Sequence, residues 1–204
     1  MGSFLPLLSE AFKEVCAYDF SSACLEQAQD AYGYLENVSF QQADLTDETL
    51  TLGKTDFAFC CNVAISPSYT VREKIFHNIQ RYLNPGGHLM LIVPSLESAL
   101  YSGFRLFDWN LKAGYAPSNA IRCGFECDSV PTAKRYQGII DIEKVPTKHY
   151  LKEELVVLLS DMQMTVKMVE KIEYDWSTEF SDPPSWMKSP YPWDWLVVAQ
   201  KASS

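Results

Sequence analysis

Val15-Cys16-Ala17-Tyr18-Asp19 is a short apolar run ending in a carboxylate, and its reading decides the fold. One helix and one strand further on, Phe40-Gln41-Gln42-Ala43-Asp44-Leu45 repeats the pattern with a second acid. Phe57-Ala58-Phe59-Cys60-Cys61-Asn62-Val63 runs out of a third strand, and Asn84-Pro85-Gly86-Gly87 turns into the apolar stretch 89–93. In an open α/β sheet the ligand crevice lies at the carboxyl ends of the strands. Two acids and an asparagine at successive strand ends therefore mark that edge as the candidate site.

Working outward, residues 3–13 read as a helix, with Pro6 in the first turn where proline is tolerated. A strand follows at 14–18, and Ser21 is placed to cap a helix running to Tyr34. Residues 37–42 form a β-rich strand. Residues 55–62 form a nearly continuous apolar one, as expected when both faces are covered. Thr70-Val71-Arg72-Glu73 is a capping-box signature, and the helix it opens carries Val71, Ile75, Ile79 and Leu83 on one stripe. Pro85-Gly86-Gly87 is expected to stop that helix before the strand at 89–93. The alternation predicts an α/β fold with a parallel sheet, helices on both faces and right-handed crossovers.

The rhythm breaks after Pro94. Residues 95–112 read as a helix rich in aromatics (Tyr101, Phe104, Phe107, Trp109), 114–131 as loop, and 135–145 as one or two strands. Periodicity returns with a helix at 151–162 and strands at 166–174 and 195–200. The connection 177–192 carries Pro183, Pro184, Pro190 and Pro192 and is long for a link between neighbouring strands. Such loops often form binding walls, although its aromatics also suit packing onto the sheet.

At 204 residues the chain is expected to be one domain, 1–204, with 95–149 inserted as a candidate substrate-binding cap. A net charge of -9, with no Lys/Arg cluster, argues against a nucleic-acid partner. No apolar run approaches the ~20 residues of a membrane span, and the apolar start at 4–8 lacks the flank of a signal peptide. Six cysteines without framework spacing point to a reducing cytoplasm. The oligomeric state is not readable.

Asp19 suits a ribose, because a carboxylate accepts two hydrogen bonds from a vicinal diol. Asp44 with Leu45 suits an adenine edge, the acid accepting from the amino group and the backbone amide facing a ring nitrogen. Each has a plainer alternative: Asp19 as a cap or solvated turn, and Asp44 with Thr46 and Asp47 as a polar turn. Cys123, Cys127 and His149 invite a zinc reading but lack a fourth ligand, so no metal is expected. His149 is a weak candidate general base.

With those residues in place, the run 4–95 resembles the class I S-adenosylmethionine-dependent methyltransferases, the phrase RYLNPGGHLMLIVPS at 81–95 most specifically. HYLKEELVVLLSDMQMTVKMVEKIEYDW at 149–176 resembles the family's last helix and sixth strand, and WDWLVVAQK at 193–201 its seventh, antiparallel strand. The resemblance implies a Rossmann-like, mostly parallel sheet and S-adenosyl-L-methionine as cofactor. It implies that Asp19 holds the ribose, Phe20 packs on the adenine, and Asp44 and Leu45 meet the adenine edge. Cys61 and Asn62 match the position facing the methionine part, and Gly2 the last glycine of the family's loop.

The family's first strand and glycine-rich loop have no counterpart ahead of Met1. Met1-Gly2-Ser3 resembles a cloning scar, so the natural protein is expected to extend further, the alternative being a chain that folds with a gap. The expected activity is in-line methyl transfer to a small-molecule acceptor, which relies mainly on alignment and leaves no conspicuous catalytic residue. The competing reading is a non-catalytic binding or interaction module on the same fold. A nicotinamide dehydrogenase shares the Asp19 logic but needs a Gly-x-Gly-x-x-Gly loop.

Overall fold

The computed structural model describes residues 2–124, 136–142 and 144–203, without the side chains of 122–124. They form two compact units, Met1–Leu52 and Gly53–Ser204. The first contains α1 (Leu5–Ala11), β1 (Val15–Asp19), α2 (Ser22–Tyr32) and β2 (Val38–Gln42). β1 and β2 pair in parallel from Val15↔Val38 to Asp19↔Gln42. Ser21 caps α2 as read, its hydroxyl accepting from the Cys24 amide. Asn37 Nδ2 donates to the carbonyls of Ser9 and Phe12, both at 2.9 Å, fastening the end of α1 to the entry of β2.

The second unit contains β3 (Thr55–Cys61), α3 (Tyr69–Tyr82), β4 (Leu83–Pro94), α4 (Leu96–Lys112) and α5 (Pro117–Gly124). A hairpin of β5 (Ile139–Ile142) and β6 (Val145–Lys148) follows, then α6 (Lys152–Asp161), β7 (Met164–Glu173) and β8 (Trp193–Lys201). The main sheet runs β3-β4-β8-β7. β3 and β4 are parallel, while β8 lies antiparallel to both β4 and β7. The sheet is thus mixed, with the last strand antiparallel as expected.

Cross-strand alternation builds the core. Leu89, Leu91 and Val93 pair with Ala199, Val197 and Trp195, and all six are buried. Such same-face neighbours are the unit of sheet stabilisation. Ile75, Phe76 and Ile79 supply the buried stripe of α3, joined by Leu83, while Leu155 and Leu159 supply that of α6.

Three local expectations differ from the structure. The capping box at Thr70 is not formed: α3 starts at Tyr69, and the Thr70 hydroxyl hydrogen-bonds Ser68 Oγ at 3.0 Å. Ser66 Oγ accepts from the Ser68 amide and turns the chain one step earlier, a local bond that competes with the cap. The Pro85-Gly86-Gly87 turn lies inside β4 as a bulge. The β3 register jumps across it from Thr55↔Leu83 to Phe57↔His88. Gly86 takes φ +78, which only glycine adopts freely. Finally, the stretch read as loop from 114 holds α5, opened by Pro117 at its first position, where a missing amide costs nothing.

Candidate functional site at the carboxyl ends of the strands

In the first unit, Asp19 and Asp44 stand at the carboxyl ends of adjacent parallel strands. The Ala43 amide donates to the Asp19 carbonyl at 3.0 Å, so the two acids follow one another across the ladder. Asp19 Oδ1 accepts from the Ser21 amide at 2.9 Å, and Asp44 Oδ1 accepts from the Thr46 amide and hydroxyl at 2.8 and 2.7 Å. The polar turns are therefore real, but they occupy one oxygen of each acid. The Oδ2 atoms accept no hydrogen bond among the described residues. Phe20 is 75% exposed, an unusual position for a large aromatic, and Leu45 is half-buried. Gly2, at φ +73, opens the turn into α1. A Cβ there would come within 2.9 Å of Leu5 Cδ1 and 3.2 Å of Ala28 Cβ, so its close approach is to α2.

In the second unit, Cys61 ends β3 half-buried, its thiol pushed up by burial and then by the Asp194 charge. Asn62 is exposed and left-handed at φ 55, a conformation asparagine tolerates better than most side chains. Its amide donates to the Ile92 carbonyl at 2.9 Å, carrying the β3–β4 ladder one residue further. His149 is buried, with Nδ1 3.1 Å from the Thr147 carbonyl, and burial pushes its pKa down. Cys127 and the Cys123 side chain lie outside the described residues. Among the described residues, no three His, Cys, Asp or Glu side chains converge as a metal site.

Sequence reasoning missed the acid at the start of β8. Because β8 is antiparallel, it opens at the same edge where β4 closes, with Asp194 opposite Pro94. Its carboxylate makes no hydrogen bond among the described residues, and burial followed by the Glu179 charge pushes its pKa up to about 6. Tyr174 donates its hydroxyl to Glu179 Oε1 at 3.1 Å beside it, its own pKa raised by burial and then by Glu179. A single acid between Trp193 and Trp195 in an alternating apolar strand was the available signal.

The segment 177–192 is fastened to α4. Trp176 stacks on Phe180 at 5.6 Å and 5°, the Tyr101 hydroxyl donates to the Pro190 carbonyl, and the Arg105 guanidinium lies 5.6 Å from Trp176 and 5.4 Å from Trp186. The aromatics pack down, and in doing so hold the long connection in one place.

The fold is similar to that of solved S-adenosylmethionine-dependent methyltransferases. One is an S-adenosylmethionine-dependent methyltransferase from Methanosarcina mazei (TM-score 0.65, 17% identity, 98% of this chain and 87% of that one). A second is the N-methyltransferase NodS of Bradyrhizobium japonicum, solved with S-adenosyl-L-homocysteine (TM-score 0.59, 13% identity, 98% and 72%). Residues 1–87 match the sequence profile of a methyltransferase domain. Over 73 residues the chain is 39% identical to a chemotaxis protein methyltransferase of Vibrio parahaemolyticus, a match covering 36% of this chain. The chain spans about a quarter of the length of that relative, 26%. Among the described residues, no helix is long and apolar enough to cross a membrane.

Proposed function

We propose that the protein is an S-adenosyl-L-methionine-dependent methyltransferase acting on a small-molecule acceptor in the cytoplasm. The observation that carries the reading is the pair of strand-end carboxylates, each with one oxygen fixed by a local turn and the other open. Such a group is oriented before a ligand arrives, which lowers the entropy lost on binding. Asp19 Oδ2 suits the ribose hydroxyls and Asp44 with Leu45 the adenine edge, while exposed Phe20 offers a ring face for the base. Cys61 and Asn62 take the methionine part on the family's pattern. Gly2 retains a structural task at the head of α1. The unpaired thiols of Cys16, Cys24, Cys60 and Cys61 fit a reducing compartment.

When bound, the cofactor supplies a methyl group already activated on a sulfonium. The protein's contribution is to align acceptor, methyl carbon and sulfur, and to take a proton where the acceptor must lose one. Asp194 is better placed for that proton than His149, which is sealed in and hydrogen-bonded to its own backbone segment. A carboxylate whose pKa is pushed up to about 6 by burial, with no hydrogen bond among the described residues, is a serviceable acceptor of protons or partner for an amine.

Calorimetric titration of S-adenosyl-L-homocysteine into the natural polypeptide carrying these residues tests the reading. Asp19→Ala is expected to weaken binding by about 1–3 kcal/mol, the range for a lost polar partner. Equal affinities remove Asp19 from the site, and no binding at all favours the interaction-module alternative.

A further inference from the structure

The loop leaving β3 is held from behind by three donors on two segments, the 148–150 stretch and the start of α3. The Tyr150 hydroxyl donates to the Ala64 carbonyl. The Lys148 amide donates to the Ile65 carbonyl at 2.9 Å, and Arg72 Nη1 donates to the Ser66 carbonyl at 2.6 Å. Three consecutive carbonyls are thus fixed from two residues beyond Asn62, the left-handed residue at the sheet's carboxyl edge. A loop of this kind has no ladder of its own, so its backbone groups need such partners wherever it is buried. Ala64 is fully buried.

The donors are themselves anchored. Tyr150 is fully buried, bridges to Ser95, and donates its amide to the Pro94 carbonyl at 2.8 Å while accepting from the Leu96 amide at 2.9 Å. Its ring meets Phe76 of α3 edge-on at 6.4 Å. Lys148 is buried although cationic: Nζ lies 2.6 Å from Glu154 Oε1, donates to the Gln137 carbonyl at 2.7 Å, and sits 4.7 Å from the Tyr150 ring. Arg72 is also buried, on the first turn of α3. Withdrawing the Lys148 ammonium from water carries a desolvation cost, and its partly exposed partner Glu154 offsets only part of it.

We propose that Tyr150, Lys148 and Arg72 are positioning residues for the methyl-transfer site: they preset the 62–66 loop, so that Asn62 meets the cofactor in a fixed conformation. The inference rests on the functional reading above. It also gives the C-terminal end of the 95–149 insertion a task, since 148–150 is the stretch that reaches both the β4 end and the loop behind Asn62.

Hydrogen exchange and S-adenosyl-L-homocysteine titration, each on the natural polypeptide, test it with Tyr150→Phe and with Leu159→Ala, a core control in α6. Tyr150→Phe removes one hydroxyl and leaves the ring packing. It is expected to speed exchange across 62–68 about tenfold without ligand and to weaken the ligand about tenfold. Leu159→Ala is expected to lower overall stability while leaving both local exchange at 62–68 and affinity near wild type. The inference is overturned if Tyr150→Phe leaves loop exchange unchanged, or if the loop loosens with no loss of affinity. It is equally overturned if the core control produces the same loosening. Wild-type protein that fails to bind the ligand overturns the functional reading and this role together. Wild-type binding with an indifferent variant overturns only this role.

Discussion

Asp194 shows how far one side chain can be read, and where reading stops. A folded-state pKa of about 6, above the ordinary 3.8, means the folded protein holds the proton more tightly than the unfolded chain. Its stabilising contribution is complete below pH 3.8 and is lost as pH rises to about 6 and beyond. Allowing for solvent screening of a half-buried group, Asp194→Asn is expected to raise stability at pH 8 by about 1–2 kcal/mol. Little change is expected at pH 4. Denaturant melts at the two pH values check this, and an equal effect at both removes the burial account. Asp19 and Asp44 were legible as strand-end acids because each closes a β-rich run. Asp194, Arg72 and Tyr150 were not. Their significance depends on partners distant in sequence, such as Tyr150 against Ala64 or Asp194 beside Cys61, and on the strand direction of β8.

Elements were readable where a local signal and a tertiary demand agreed. Ser21 and Ser95 both cap the helices that follow, Ser95 accepting from the Ser98 amide at 3.0 Å. Thr70 failed as a cap because Ser66 and Ser68 offered a nearer bond, and Gly86-Gly87 became a bulge because β4 pairs on both sides of it. The long link 177–192 was legible as long and aromatic, but its seat on α4 was not, since ring contacts carry no sequence period. Trp176 is its pin, with 1% exposure and contacts to Tyr101, Phe180 and Arg105. Trp176→Ala is expected to cost about 3–5 kcal/mol. The same change should open 177–192 to limited proteolysis while sparing 85–94. Cleavage spread evenly along the chain would mean the residue supports the whole sheet instead.

At the scale of the whole molecule, the two units differ in how much they bury. Among the described residues, Leu5, Ala28 and Ala43 are the buried apolar side chains of the first unit. The second unit has the alternating core of β4 and β8 together with Phe76, Tyr150, Leu155, Leu159 and Trp176. A two-stranded ladder with so small a core is marginal by itself, and local opening follows the poorest burial. Amides of β1 and β2 are therefore expected to exchange at least about a hundredfold faster than those of residues 89–93, a gap of about 2.7 kcal/mol. Because Asp19 ends β1 and Asp44 lies just beyond β2, a ligand they hold stabilises the closed form by mass action. S-adenosyl-L-homocysteine at about a hundred times its dissociation constant should slow β1 and β2 exchange by up to a hundredfold. Exchange at 89–93 should stay at its ligand-free rate wherever opening there is local and does not release the ligand. Protection confined to the second unit would show that the strand-end acids do not contact the ligand, whatever fold the chain shares with solved methyltransferases.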